Sequence, residues 1–112
     1  MSLFNFRKEK IPKDTSSVEF KRYMAKKIDG KKLRYVLERE ADSDRVIGKD
    51  GFLSLYNDEL SVICGEKTLF CAKVDTLVAW EFMSLEGVTL TAPDLVTGKE
   101  RTVMAYYKYY RD

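Results

Sequence analysis

From Gly51 onward, apolar and polar residues alternate in short runs separated by turn-forming residues. Phe52-Leu53-Ser54-Leu55-Tyr56 and Glu59-Leu60-Ser61-Val62-Ile63-Cys64 flank Asn57-Asp58, the pattern of two strands joined by a tight turn. Gly65-Glu66-Lys67 leads into a third strand over Thr68 to Val74, and Val78 to Met83 reads as a fourth. Gly87 to Ala92 alternates apolar and hydroxyl residues, Pro93-Asp94 ends it, and Thr97-Gly98-Lys99 supplies a turn. Arg101 to Tyr110 then alternates Val103, Ala105, Tyr107 and Tyr109 against Met104, Tyr106, Lys108 and Tyr110, which predicts a last strand.

Upstream the period changes. Phe20, Tyr23, Met24 and Ile28 recur at helical intervals, Ser16 and Glu19 have capping-box spacing, and Gly30 stands where a helix C-cap belongs. These signals predict a helix over residues 16–29. Lys31 to Glu40 fits both periods, since Leu33, Tyr35 and Leu37 alternate while Leu33, Val36, Leu37 and Ala41 match a helix. Its aromatic and β-branched content tilts the reading to strand, with Asp42-Ser43-Asp44 as the following turn. Strands at close spacing without intervening helices argue against a parallel sheet. The expected fold is mainly β, α+β by count: an antiparallel meander of about six or seven strands in a partly closed barrel or sandwich, with one N-terminal helix.

At 112 residues and 45% hydrophobic, the chain has the size of one domain and enough apolar surface for a core without metal or disulfide staples. Charge divides it: Met1 to Arg34 holds 11 Lys or Arg against 4 Asp or Glu, while the remainder is net acidic. Residues 1–14 therefore read as a basic arm and 15–112 as a β-rich domain. The longest apolar runs fall far short of the ~20 residues of a membrane span, and no signal-peptide core is visible, so the expected compartment is the cytoplasm. Cys64 and Cys71 flank the Gly65-Glu66-Lys67 turn without facing each other, which sets them beyond the ~7 Å reach of a disulfide and predicts buried free thiols.

Gly51-Phe52-Leu53-Ser54-Leu55, Asn57-Asp58-Glu59-Leu60-Ser61-Val62, Leu69-Phe70 and Leu77 together resemble the opening strands of pleckstrin-homology-like domains of the bacterial and GRAM type, over residues 33–110. The resemblance implies a partly closed barrel. That family closes its barrel with a C-terminal helix, whereas this chain ends at Tyr109-Tyr110-Arg111-Asp112 in strand-like sequence. Either the helix at 16–29 covers the opening, or the last strand is an edge that pairs with another copy. Phosphoinositide binding does not carry over, because the first hairpin turn, Asn57-Asp58-Glu59, is acidic.

With no histidine, the chain lacks the commonest general base, the usual zinc ligand and every Ser-His or Cys-His nucleophile arrangement. Asp42, Asp44 and Asp50 lack the glycine and terminal glutamate of a calcium loop and read as turn residues. Glu81 and Glu86 near Trp80 are a bare carboxylate pair with no pocket specified. Val46-Ile47-Gly48-Lys49-Asp50-Gly51 contains a GxxG that KH modules use to hold a nucleic-acid backbone, but Phe52 to Tyr56 runs on as a strand where a helix is required. No enzyme, metal or cofactor is expected.

Tyr106-Tyr107-Lys108-Tyr109-Tyr110-Arg111 interleaves aromatic and basic groups; alternation sends Tyr107 and Tyr109 to one face and Tyr106 and Tyr110 to the other. One pair should enter the core and the other present a protein interface, with a base-stacking platform as the rival reading. Tyr106, Tyr107, Tyr109, Tyr110 and Trp80 are the candidate interface residues. Arg7, Lys8, Lys10, Lys26 and Lys27 are the candidate anion-binding residues. The sequence thus points to a non-catalytic binding or scaffolding module that contacts a protein or itself. Electrostatic binding of an anionic membrane surface or nucleic acid through the basic N-terminal segment is the alternative.

Overall fold

The computed structural model describes residues 14–108. One helix, α1 (Val18–Ile28), precedes seven strands: β1 (Lys32–Arg39), β2 (Asp44–Tyr56), β3 (Glu59–Cys64), β4 (Lys67–Lys73), β5 (Val78–Glu81), β6 (Gly87–Pro93) and β7 (Glu100–Tyr107). A single 3₁₀ turn, Val74–Thr76, links β4 to β5. All pairings are antiparallel, in the order β4-β3-β2-β1-β7-β6-β5. The mainly β expectation, the seven strands and the N-terminal helix are therefore all present.

The helix forms as its pattern requires, with Phe20, Met24, Ala25 and Ile28 buried along one stripe. Its cap differs from expectation by one residue. Ser17 is the N-cap and its Oγ accepts from the Phe20 N–H at 3.1 Å, while Ser16 is held by Asp14. With Phe20 at the third helical position, Glu19 cannot complete a capping box. Gly30, at φ +84°, ends the helix, and hydrogen bonds of 2.8 Å from Gly30 N to Leu53 O and 3.0 Å from Leu53 N to Lys31 O fasten it to β2.

Asn57 and Asp58 both adopt positive φ, 54° and 61°, the twist that a two-residue hairpin turn needs between β2 and β3. β2 begins at Asp44, well before Gly51, so the GxxG segment lies inside a strand and not in a loop between helices. Its glycines serve close approach. A Cβ on Gly51 would meet the Ile63 carbonyl and Cys64 Sγ, and one on Gly48 would meet Leu69 and Cys64 Sγ.

The sheet is not closed edge to edge, but it curls until edge strand β4 meets the turn after β6 through a polar clamp. Leu95 N donates to Cys71 O at 2.7 Å, and Cys71 N donates to Asp94 Oδ1 at 2.9 Å. Arg101 Nη1 reaches both Leu69 O, at 2.8 Å, and Asp94 Oδ2, at 2.9 Å. The turn after β6 thus occupies the outward main chain of β4. Inside the curl lies one core, in which Leu33, Val36, Leu53, Leu60, Val62, Phe70, Val88, Leu90, Val103, Ala105 and Tyr107 meet Phe20, Met24 and Ile28 of α1. Each such side chain contributes about 1.5–3 kcal/mol relative to exposure.

Two expectations change here. β7 is not an open edge: it sits between β1 and β6, and its main-chain groups are taken up by antiparallel ladders on both sides. The thiols of Cys64 and Cys71 are free, as expected, but half-buried rather than buried, since Cys64 ends β3 and Cys71 alternates with the inward-facing Phe70 and Ala72 of edge strand β4.

Candidate functional site

In antiparallel pairs, directly opposed residues share a face of the sheet. The register places Trp80 opposite Thr89, Thr89 opposite Met104, Met104 opposite Leu37 and Leu37 opposite Val46. The neighbouring row runs from Phe82, bonded through its N–H to Gly87 O at 2.8 Å, across Gly87 to Tyr106 and on to Tyr35. Since Ala79, Val88, Ala105 and Val36 point into the core, both rows point outward. The result is an apolar, aromatic surface on the outside of β5, β6, β7, β1 and β2.

Its side chains are ordered against one another. Tyr35 and Tyr106 stack with ring centroids 4.7 Å apart, and Phe82 meets Tyr106 edge-on at 5.0 Å. Gly87 makes room for this, since a Cβ there would strike the Phe82 ring and the Tyr106 main chain. The Arg34 guanidinium lies 5.6 Å from the Tyr35 centroid, and Arg39 Nη2 sits 3.2 Å from Met104 Sδ. Trp80 is 51% exposed although its ring touches Phe20 of α1, at 5.8 Å. Met83 and Leu85, in the loop after β5, are exposed.

Of the five candidate interface residues, the structure brings Trp80 and Tyr106 onto this one face. Tyr107 belongs elsewhere: it is 1% exposed, in the core, because β7 alternation pairs it with the inward row. Its hydroxyl donates to Glu81 Oε2 at 2.8 Å, and Lys27 Nζ holds Glu81 Oε1 at 2.8 Å. Burial pushes the Glu81 carboxyl up, but the hydrogen bonds from Lys27 and Tyr107 outweigh it and leave the group below its ordinary range. Burial, and then the neighbouring Glu81 carboxylate, push the Tyr107 phenol far up. Tyr109, Tyr110, Arg7, Lys8 and Lys10 lie outside the described residues.

The remaining candidates do not converge on a reactive centre. Glu81 is spent on Tyr107 and Lys27, whereas Glu86 faces Arg34 at 4.0 Å. Asp44 pairs with Arg39 and Asp50 with Lys108, and no group of three metal-ligating side chains occurs among the described residues. On α1, Lys27 is bound to Glu81, Arg22 faces Asp58 at 3.7 Å, and Lys26 is exposed. An open cleft of about 430 Å³ near the end of α1 is lined by Lys32, Leu33, Asp50, Phe52 and Lys108. No described helix is long and apolar enough to cross a membrane.

No protein-family model, curated protein or solved structure matches this chain.

The partners of Tyr106 and Trp80 on the outer face, namely Tyr35, Leu37, Phe82, Met104 and Val46, were not singled out from sequence. Their signal was nonetheless present. Val103-Met104-Ala105-Tyr106-Tyr107 is a continuous apolar run, and such runs mark strands covered on both faces.

Proposed function

We propose that this chain is a non-catalytic protein-binding module whose contact surface is the outer face carrying Trp80, Phe82, Tyr106 and Tyr35. The observation that carries the reading is that β7 and β1 carry apolar residues on both sides while the core cluster takes up only one; on the other, Met104 is buried but Trp80 and Val46 at its ends stay half exposed. Surface aromatics flanked by arginine are the composition enriched where protein contacts concentrate. Tyr106 and Tyr35 stand on paired, central strands, and Phe82 and Trp80, at edge strand β5, are held by ring contacts with Tyr106 and Phe20, so the surface is ordered before a partner arrives and little ordering entropy is spent on binding.

A pleckstrin-homology-like scaffold is part of the proposal. It is supported by seven antiparallel strands in one curled sheet with a helix packed on its core, and here that helix precedes the strands. The free cysteines favour a reducing compartment, the cytoplasm. The electrostatic alternative has less support, since two of the cations on α1 are engaged by Glu81 and Asp58.

The test compares wild-type chain with Trp80→Lys and Val46→Lys, both at exposed positions of the face. Light scattering reads association, and affinity capture from extract reads partners. Both substitutions should abolish association or the specific partner. Variants indistinguishable from wild type in both assays would refute the reading.

A further inference from the structure

We infer that residues 3–7 of this chain's own N-terminal arm add an eighth strand to the free edge of β5. The two edges of the sheet are treated differently. β4 is covered by the turn after β6, through Leu95 and Asp94, and carries Lys67 and Lys73 at its ends. β5 has neither protection: Val78 and Trp80 are half exposed, and its outer side has no main-chain partner among the described residues. Phe82 N donates to Gly87 O at 2.8 Å, and bonded pairs alternate along an antiparallel ladder, so Trp80 and Val78 are the residues bonded to Thr89 and Thr91. The N–H and C=O groups of Ala79 and Glu81 therefore point away from β6, off the sheet. Left bare, such an edge is a template for another extended segment.

The arm is the occupant because of where it starts, how far it reaches and what it carries. Met1 to Lys13 precede the first described residue, Asp14, and Thr15 lines a narrow groove with Phe20, Val78 and Trp80, so the arm leaves the domain beside β5. Pairing along Ala79 to Glu81 with one residue on either side takes five residues, about 17 Å at roughly 3.3 Å per residue. The arm extends to about 45 Å at most, which leaves Lys8 to Lys13 for the connection. Pro12, which cannot donate to a ladder, falls in that connection, whereas Leu3-Phe4-Asn5-Phe6-Arg7 has no proline and is rich in aromatic side chains. Arg7, Lys8 and Lys10 bring to the new edge the charges that sheets use to stop further pairing. Being tethered, the arm has a local concentration on the order of millimolar at β5, which a second copy or another protein matches only at comparable concentration. The added strand fills the plane of the sheet beside Trp80 and leaves the outer face open, so the inference stands apart from the binding-face reading.

Amide hydrogen exchange of the full chain, read residue by residue by nuclear magnetic resonance, tests this. The Ala79 and Glu81 amides should exchange about 100-fold more slowly in wild type than in a double variant carrying Asn5→Pro and Phe6→Pro. The two prolines remove adjacent N–H groups, one of which faces β5 in any register. The Val78 and Trp80 amides, bonded to β6, should stay protected in both chains and so report that the domain is folded. Protection of Ala79 and Glu81 should be equal at about 50 μM and about 0.5 mM. Free exchange of these two amides in wild type overturns the inference, as does protection that the double variant retains. Protection that grows with concentration also overturns it, because the edge is then filled by another copy. None of these outcomes bears on partner capture by Trp80→Lys or Val46→Lys, so the two readings fail separately.

Discussion

Asp94 offers the sharpest test of how the curled sheet is held. Its side chain is fully buried, and its two oxygens accept from Cys71 N, Val96 N, Thr97 N, Thr97 Oγ1 and Arg101 Nη1 at 2.8–3.1 Å. Burial alone would push this carboxyl up. The hydrogen bonds from Cys71, Thr97, Arg101 and Val96 outweigh burial and hold it at about 2 against an ordinary 3.8. That depression corresponds to roughly 2–3 kcal/mol of folding stability at neutral pH. The lowered value means that this stability is fully present above the unfolded-state pKa and is lost as pH falls through about 4 towards 2.

Asp94→Asn keeps the shape and removes the charge, so it should cost about 2–3 kcal/mol near pH 7. Asp94→Ala also leaves three main-chain N–H groups without their acceptor, while Arg101 keeps Glu38 and the Leu69 carbonyl, and should cost about 3–5 kcal/mol of a total near 5–15. Urea unfolding followed by circular dichroism at several pH values measures both. The gap between wild type and Asp94→Asn should be constant above about pH 5 and shrink to about 0.5 kcal/mol near pH 2. Comparing variant with wild type cancels the carboxylates remote from the clamp; Glu38, which shares Arg101 with Asp94, is coupled to the change. A gap under about 1 kcal/mol at pH 7, or one equal at pH 7 and pH 2, would refute the idea that this ionised carboxylate clamps the sheet.

Three further outcomes follow from local geometry. Gly51→Ala should lose about 2–3 kcal/mol in the same unfolding assay, because its Cβ meets the Ile63 carbonyl and Cys64 Sγ; near-neutral stability would show that β2 and β3 can move apart. Asp58→Gly should gain roughly 0.5 kcal/mol by relieving a positive φ, the exposed contact with Arg22 being worth little, and a loss of stability would contradict the turn geometry. Burial raises both thiols, with Asp50 adding to the effect at Cys64 and Glu59 at Cys71, so an aromatic disulfide reagent at pH 7.5 should label the folded chain much more slowly than the unfolded one.

The strands were legible because period two needs only local information, and the turns because Asn57-Asp58 and Gly98 are residues that tolerate positive φ. Helix α1 was legible from its buried stripe, and only its cap slipped, since Ser16 and Ser17 are chemically equivalent and the choice is made by Asp14. What local pattern cannot contain is adjacency. Nothing in Glu100 to Tyr107 says that β1, some 70 residues earlier, fills its second side. For the same reason, the strand end at Tyr56 was visible while the start of β2 at Asp44 was hidden by polar residues that face solvent.

Alternation separated Tyr106 from Tyr107, but it could not say which of them enters the core. The sign is fixed by Val36 and Val88, the opposite neighbours of Ala105, and by Glu81, which takes the Tyr107 hydroxyl. Once Tyr107 is inside, Tyr106, Tyr35, Phe82 and Trp80 must all be outside, because the register leaves them no other face. A sheet solvated on that side normally alternates apolar with polar residues, and β6 does, setting Thr89 and Thr91 outward. β1 and β7 break the rule at Tyr35, Leu37, Met104 and Tyr106, on the two central strands where a core would be deepest. Met104 is nonetheless buried within the chain, while Tyr35, Leu37 and Tyr106 are only partly covered and Trp80 stays half exposed. Apolar residues left partly open on one face of a sheet are the composition of a contact surface, which is why the proposed binding face is placed there.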